Sequence, residues 1–144
     1  MNALFYGDRN WKDEQAIWLI LWGLYEIVDN RDQTLNIIHG GDLEEDRYKG
    51  VDFLVDKCVK KLNYLTNKQL REDCIHMKEF PIESHSSAAT YSRNQDMLDK
   101  GKPDIVFAFS DYMSNDSARD HMMEISKDAK VPSYIISRLS LIHI

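Results

Sequence analysis

The sequence predicts an α/β fold: a three-layer sandwich with a mainly parallel sheet of about five strands, covered by helices on both faces. Two observations carry this. Short apolar runs alternate with segments of helical periodicity along the chain, the pattern that parallel strands joined by crossover helices produce. One run, Asp104-Ile105-Val106-Phe107-Ala108-Phe109-Ser110, is almost continuously apolar, as a strand buried on both faces must be. With 144 residues the chain has the size of one domain and can bury a core.

The first strand is Ala3–Tyr6, and it stops at Gly7. Asp8, Arg9, Asn10 and Trp11 lead into a helix over Asp13–Val28, whose core stripe is Ile17, Ile20, Leu21, Leu24 and Val28. A second stripe on this helix is aromatic: Trp18, Trp22 and Tyr25. Two apolar faces exceed what one sheet needs, so a further layer or a second subunit is expected there, and a homo-oligomer contact is the favoured reading. The second strand, Thr34–His39, closes on His39-Gly40-Gly41, and an acidic segment, Asp42–Asp46, follows. The next helix is expected to bury Val51, Leu54, Val55, Cys58, Val59, Leu62 and Leu65, with Lys57, Lys60 and Lys61 on its wet side.

Thr66–Asp73 reads as a polar connection and Cys74–Phe80 as the third strand, ending at Pro81. A Ser-rich loop then leads to a short helix expected to start at Arg93 with Ser92 as its cap, and to end at Lys100-Gly101-Lys102-Pro103. After the fourth strand, Asp104–Ser110, a helix capped by Asp116 or Ser117 carries Ala118, His121, Met122, Ile125 and Ala129 on one face. Ser133–Ser137 is the last strand, and the apolar tail Leu139–Ile144 suits an edge strand or pairing with a partner chain.

Composition narrows the function classes. Hydrophobic content of 43% and charged content of 29% are those of a globular protein. A net charge of −6 without a basic face disfavours binding to a nucleic-acid backbone. The longest apolar stretch, Ala16–Leu24, falls short of the ~20 residues that span a bilayer, and no N-terminal signal pattern is present, so a cytoplasmic protein is expected. Cys58 and Cys74 lack metal-ligand spacing, and His39, His85 and His121 stand in separate segments. No metal and no cofactor is implied.

Gly7-Asp8-Arg9 has two readings: a tight strand-to-helix turn with a solvated arginine, or an anion cradle in which glycine admits a phosphate and arginine grips it. The His39-Gly40-Gly41 junction repeats the theme, and Ser110 and Ser117 flank a third strand-to-helix junction with N–H groups suited to an anion. Together with Gly50-Val51-Asp52, Arg93-Asn94-Gln95-Asp96-Met97-Leu98 and Asp104–Phe109, these pieces resemble in order the YspA-like branch of the SLOG superfamily. Those are small Rossmann-like proteins related to the LOG nucleotide hydrolases and to DprA.

The resemblance covers Ala3 to about Ile136 and implies a ligand cleft at the strand ends. It places Gly7, Asp8, Arg9 and Asn10 in the first loop and His39, Gly40 and Gly41 in the second. Asp52 matches the acidic end of the family's Gly-Gly-Ala-x-Gly-Ala-Asp pattern, and Arg93 and Asn94 match its Arg-Asn pair. Departures are equally specific. Gly41 and Gly50 are separated by the acidic segment, the family's Ala-Gly-Pro-x-Arg-Asn becomes Ala89-Thr90-Tyr91-Ser92-Arg93-Asn94, and Asn115–Arg119 replaces the Gly-Gly-x-Gly-Thr phosphate loop.

Three functions follow. The leading one is a binding protein that senses or sequesters a nucleotide or nucleotide-derived small molecule. The second is a hydrolase of an N-glycosidic or phosphoribosyl bond, for which Asp8 and Asp52 are the only carboxylates the motif places in the cleft. The third is an oligomeric interaction protein with a vestigial cleft.

Overall fold

The computed structural model describes residues 1–40, 50–66, 71–74, 87–110 and 116–137. Its elements alternate strictly: β1 (Asn2–Gly7), α1 (Glu14–Asn30), β2 (Asn36–His39), α2 (Val51–Thr66), β3 (Arg71–Cys74), α3 (Ser87–Gly101), β4 (Ile105–Phe109), α4 (Ser117–Asp128) and β5 (Ser133–Ile136). The strands form one five-stranded sheet in the order β3-β2-β1-β4-β5, and every pairing is parallel. This is the predicted three-layer α/β sandwich of Rossmann-like type. Its order reverses beside β1, which makes the ends of β1 and β4 the switch point of the sheet.

Side-chain alternation along the strands divides the core. Ala3, Phe5, Ile37, Phe107 and Phe109 join Ile17, Leu21, Val55 and Leu62 beneath α1 and α2. Leu4, Ile38 and Val106 join Met97, Leu98 and Met122 beneath α3 and α4. The same alternation puts Tyr6, the last side chain of β1 before the turn, on the α3/α4 side. Phe5 stacks on Phe109 with centroids 5.7 Å apart, and the buried Trp11 closes this core edge-on to Phe109, also at 5.7 Å.

Two helices start on an aspartate, as expected of residues whose carboxylate accepts a first-turn N–H. Asp13 accepts from Ala16 N at 3.2 Å, and Asp116 rather than Ser117 caps α4, accepting from Arg119 N at 3.0 Å. Cys58 is buried in the α2 stripe as predicted, and burial, with Glu14 adding to it, pushes its thiol up to about 12.

Four expectations change. The third strand is described over Arg71–Cys74, within the stretch expected to be a polar connection; it sits at the sheet edge, where backbone pairing to β2 does not require an apolar sequence. Residues 75–80 lie outside the described residues. Helix α3 begins at Ser87, so Ser92 is an exposed residue inside it and not a cap; alanines and a half-buried tyrosine carry the helix through the Ser-rich stretch. Leu65 is 56% exposed, because α2 ends at Thr66 after it has left the sheet. On α4 the buried residues are Arg119, Met122 and Ser126, while Ala129 is an exposed C-cap. The acidic segment Asp42–Asp46 and the tail from Leu139 lie outside the described residues.

Candidate ligand-binding site

All strands are parallel, so their carboxyl ends share one edge, and the first turns of the helices that follow them gather there. On the α3/α4 side, the ends of β1, β2 and β4 bring Tyr6, Gly40 and Ser110 to this edge. Arg93 and Asn94 of α3 lie over them from above, Asp52 comes from the first turn of α2, and Asp116 caps α4.

Gly40 is the meeting point of two side chains. A Cβ there would lie 2.2 Å from Arg93 Nη2 and 2.6 Å from Asp52 Oδ2. Asp52 Oδ1 accepts from Gly40 N at 3.0 Å, and Asp52 Oδ2 faces Arg93 Nη2 at 3.8 Å, with both side chains largely shielded. The glycine's lack of a side chain is therefore used by the Asp52–Arg93 bridge.

Asn94 is fully buried. Its Nδ2 donates to Ala118 O at 3.1 Å and lies 3.2 Å from His121 Nδ1. An amide nitrogen can only donate, so this contact requires His121 Nδ1 to carry the lone pair. The Asn94 Oδ1 is turned away from these two contacts and has no hydrogen-bond partner, and Arg93 Nε is likewise buried without one. Next to them, burial pushes the Tyr6 hydroxyl up to about 12; an Asn94 hydrogen bond and the Arg93 charge pull the other way, while Asp116 and Asp52 add to the rise. Tyr6 is thus an uncharged hydroxyl at neutral pH. Tyr91 and His121 stack with centroids 4.2 Å apart and planes at 21°, one helical turn from Asn94.

On the β4 side, Ser110 Oγ donates to Asp116 Oδ2 at 3.3 Å and accepts from Arg119 Nη1 at 3.1 Å. Arg119 also bonds Asp120 Oδ1 through Nε and Nη2, each at 3.2 Å.

The first loop has a different role in the geometry. A Cβ on Gly7 would lie 2.2 Å from Phe109 O and 2.7 Å from Val51 Cγ2, so Gly7 lets β1 pack against β4 and α2. Asp8 Oδ1 accepts from Asn10 N at 2.8 Å, and Asp8 O accepts from Trp11 N at 3.2 Å and Val51 N at 3.3 Å. Gly50, at φ 100°, donates to Trp11 O at 2.8 Å, and a Cβ on it would lie 3.0 Å from Arg9 O. The loop is laced to the start of α2.

Of the residues proposed from sequence, Gly40, Asp52, Arg93, Asn94 and Ser110 converge on the α3/α4 side. Gly7, Asp8, Arg9 and Asn10 form the turn beside the start of α2. His39 is fully buried, Ser117 is exposed on the first turn of α4, and Gly41 lies outside the described residues. Sequence reasoning missed Tyr6, Tyr91 and Arg119. Tyr6 carried a usable signal: it shares the Leu4 face and is the last side chain there, where a polar tip reaches the strand ends.

Among the described residues, no group of three or more His, Cys, Asp or Glu side chains is placed to hold a metal ion, and no helix is long and apolar enough to cross a membrane. A surface cavity of about 350 Å³ lined by Glu14, Gln15, Trp18, Lys57 and Lys61 shares no residue with the strand-end cluster.

No protein-family model matches the sequence, and no curated protein matches it. Among solved structures, UDP-GlcNAc 2-epimerase from Neisseria meningitidis, bound to UDP-GlcNAc, is similar over 94% of this chain, with a TM-score of 0.48 and 16% identity; the chain spans 32% of that protein's length. GalB, the 4-carboxy-2-hydroxymuconate hydratase from Pseudomonas putida KT2440, is similar over 91% of this chain, with a TM-score of 0.34 and 12% identity, and the chain spans 56% of it.

Proposed function

We propose that this chain is a SLOG-type, YspA-like module that binds a nucleotide-derived small molecule at the carboxyl ends of its strands, for sensing or sequestration. The observation that carries the reading is Asn94: a fully buried amide beside the switch point, oriented by α4, with an oxygen that has no partner. Leaving a buried acceptor unmade costs roughly 1–3 kcal/mol, and a hydrogen bond from a ligand would recover that cost here. Tyr6, Arg93 and the Tyr91–His121 pair supply a hydroxyl, a guanidinium and aromatic surface around it.

Binding is favoured over hydrolysis because both candidate carboxylates serve as structural acceptors. Asp52 takes the Gly40 N–H and faces Arg93, and Asp8 closes its own turn. A base or nucleophile needs a lone pair directed at substrate or water.

Thermal-shift measurement against a panel of nucleosides, nucleotides and NAD-like molecules tests the reading. At least one should raise the melting temperature of the wild type and do so less for Arg93→Ala. A panel without any stabilising compound counts against it. Chromatography of the same mixtures tests the enzymatic alternative, which predicts free base among the products.

A homo-oligomer through α1 is the accompanying proposal. Trp18, Trp22 and Tyr25 form a ladder with centroids 5.8 and 5.9 Å apart; Trp18 and Tyr25 pack half-buried against the core, while Trp22 is 36% exposed and Leu19, on the neighbouring face, 61% exposed. An exposed tryptophan beside an exposed leucine on one helix face favours an interface.

A further inference from the structure

Among the described residues, backbone N–H groups at the strand ends that could face a phosphate have partners within the chain. Asp8 N donates to Phe109 O at 3.2 Å, Asn10 N to Asp8 Oδ1 at 2.8 Å, and Gly40 N to Asp52 Oδ1 at 3.0 Å. Gly50 N and Val51 N, at the start of α2, donate to Trp11 O and Asp8 O. Ser110 N donates to Ile136 O at 3.0 Å, and Arg119 N, in the first turn of α4, to Asp116 Oδ1 at 3.0 Å. Helix N-termini and glycine turns attract anions because their N–H groups lack partners. Here the chain's own carboxylates, Asp8, Asp52 and Asp116, take those places.

The charges around the cleft are balanced in the same way. The Arg93 guanidinium faces Asp52, and Arg119 bonds Asp120 and Ser110. A phosphate brought to this edge would meet two carboxylates, Asp52 and Asp116, whose influence already reaches the Tyr6 hydroxyl. What remains unmatched among these groups is directional: the buried Asn94 Oδ1 acceptor and the buried Arg93 Nε donor.

We infer that the strand-end cleft selects the nucleoside part of its ligand, base and sugar, over the phosphate, for which the N–H groups named above are not free. This rests on the binding reading above and names the ligand class for the same site. Asn94 Oδ1 and Arg93 Nε are a buried acceptor and a buried donor, groups that an uncharged ligand carrying both donors and acceptors, as bases do, can meet. The Tyr91–His121 stack adds an aromatic surface of the kind on which bases lie, regardless of charge.

The test compares adenosine and uridine with their 5′-monophosphates and with inorganic phosphate, by calorimetric titration of the full chain at low and high salt. Each nucleoside should bind within about threefold of its monophosphate, with little change on adding salt, and inorganic phosphate should not bind. Asn94→Ala should weaken adenosine binding by about tenfold or more. That variant also loses its contacts to α4, so the wild-type salt series stands as the independent arm.

A monophosphate bound more than about tenfold tighter than its nucleoside, with affinity falling as salt rises, would overturn this inference and leave the binding reading standing. Binding of inorganic phosphate alone, or adenosine affinity unchanged in a folded Asn94→Ala, would also overturn it. Binding of none of these compounds to folded protein would overturn both readings.

Discussion

At the residue scale, the glycines at the strand ends separate packing from function. Gly7→Ala would drive a methyl into Phe109 O, a backbone atom fixed by the β1–β4 ladder, and should cost about 2–3 kcal/mol in urea unfolding. Gly40→Ala meets the outer ends of the Arg93, Asp52 and Met97 side chains and no backbone, so its stability cost should be about 1 kcal/mol, with ligand affinity lost through displacement of the bridge. A Gly40→Ala variant that unfolds as readily as Gly7→Ala would contradict this contrast.

Two groups tie stability to alkaline pH. Cys58 is raised from 9.0 to about 12 and Tyr6 from 10.0 to about 12, both chiefly by burial. The unfolded chain releases these protons first, so it binds fewer than the folded one and stability falls as pH rises from 9.0 toward about 12. Urea midpoints should therefore decline over that range, and Cys58→Ala should flatten the early part of the slope. Cys58 should also react slowly with thiol reagents in folded Cys74→Ser protein and rapidly once it is unfolded.

At the element scale, helix periodicity was the most legible signal and strand polarity the least. The stripes of α1 and α2 follow from spacing alone, because each helix must bury one face against the sheet. The polar residues of edge strand β3 read as a connection because backbone pairing, not apolar side chains, holds an edge. The start of α3 was misplaced because serines that suit a cap are also tolerated on an exposed helix face. Leu62→Ala should cost about 2–5 kcal/mol, whereas Leu65→Ser should stay within about 0.5 kcal/mol, since Leu65 lies beyond the sheet. The aromatic ladder of α1 has a direct test. Trp22→Asp should lower the mass measured by light scattering if α1 builds an oligomer, and an unchanged mass would remove the ladder as its basis.

At the scale of the whole molecule, the doubly wound order β3-β2-β1-β4-β5 puts residues far apart in sequence onto one edge. The fold class was legible because strand–helix alternation is a local pattern repeated along the chain. The site was legible only in part. Asp52, Arg93 and Asn94 came from a motif order, but which of them meet depends on the face each strand end presents. Alternation sends Tyr6 and Gly40 toward α3, and sends Gly7 toward α2, so the proposed residues divide between two neighbourhoods. The proposed ligand sits on the α3/α4 side, over Tyr6 and against Asn94. Backbone and side-chain amide NMR shifts during an adenosine titration test this placement most directly. The largest changes should fall at Tyr6, Gly40, Ser110 and the Asn94 side-chain amide; shifts confined to Asn10, Trp11 and Val51, or to the Trp18–Lys61 cavity, would place the ligand elsewhere.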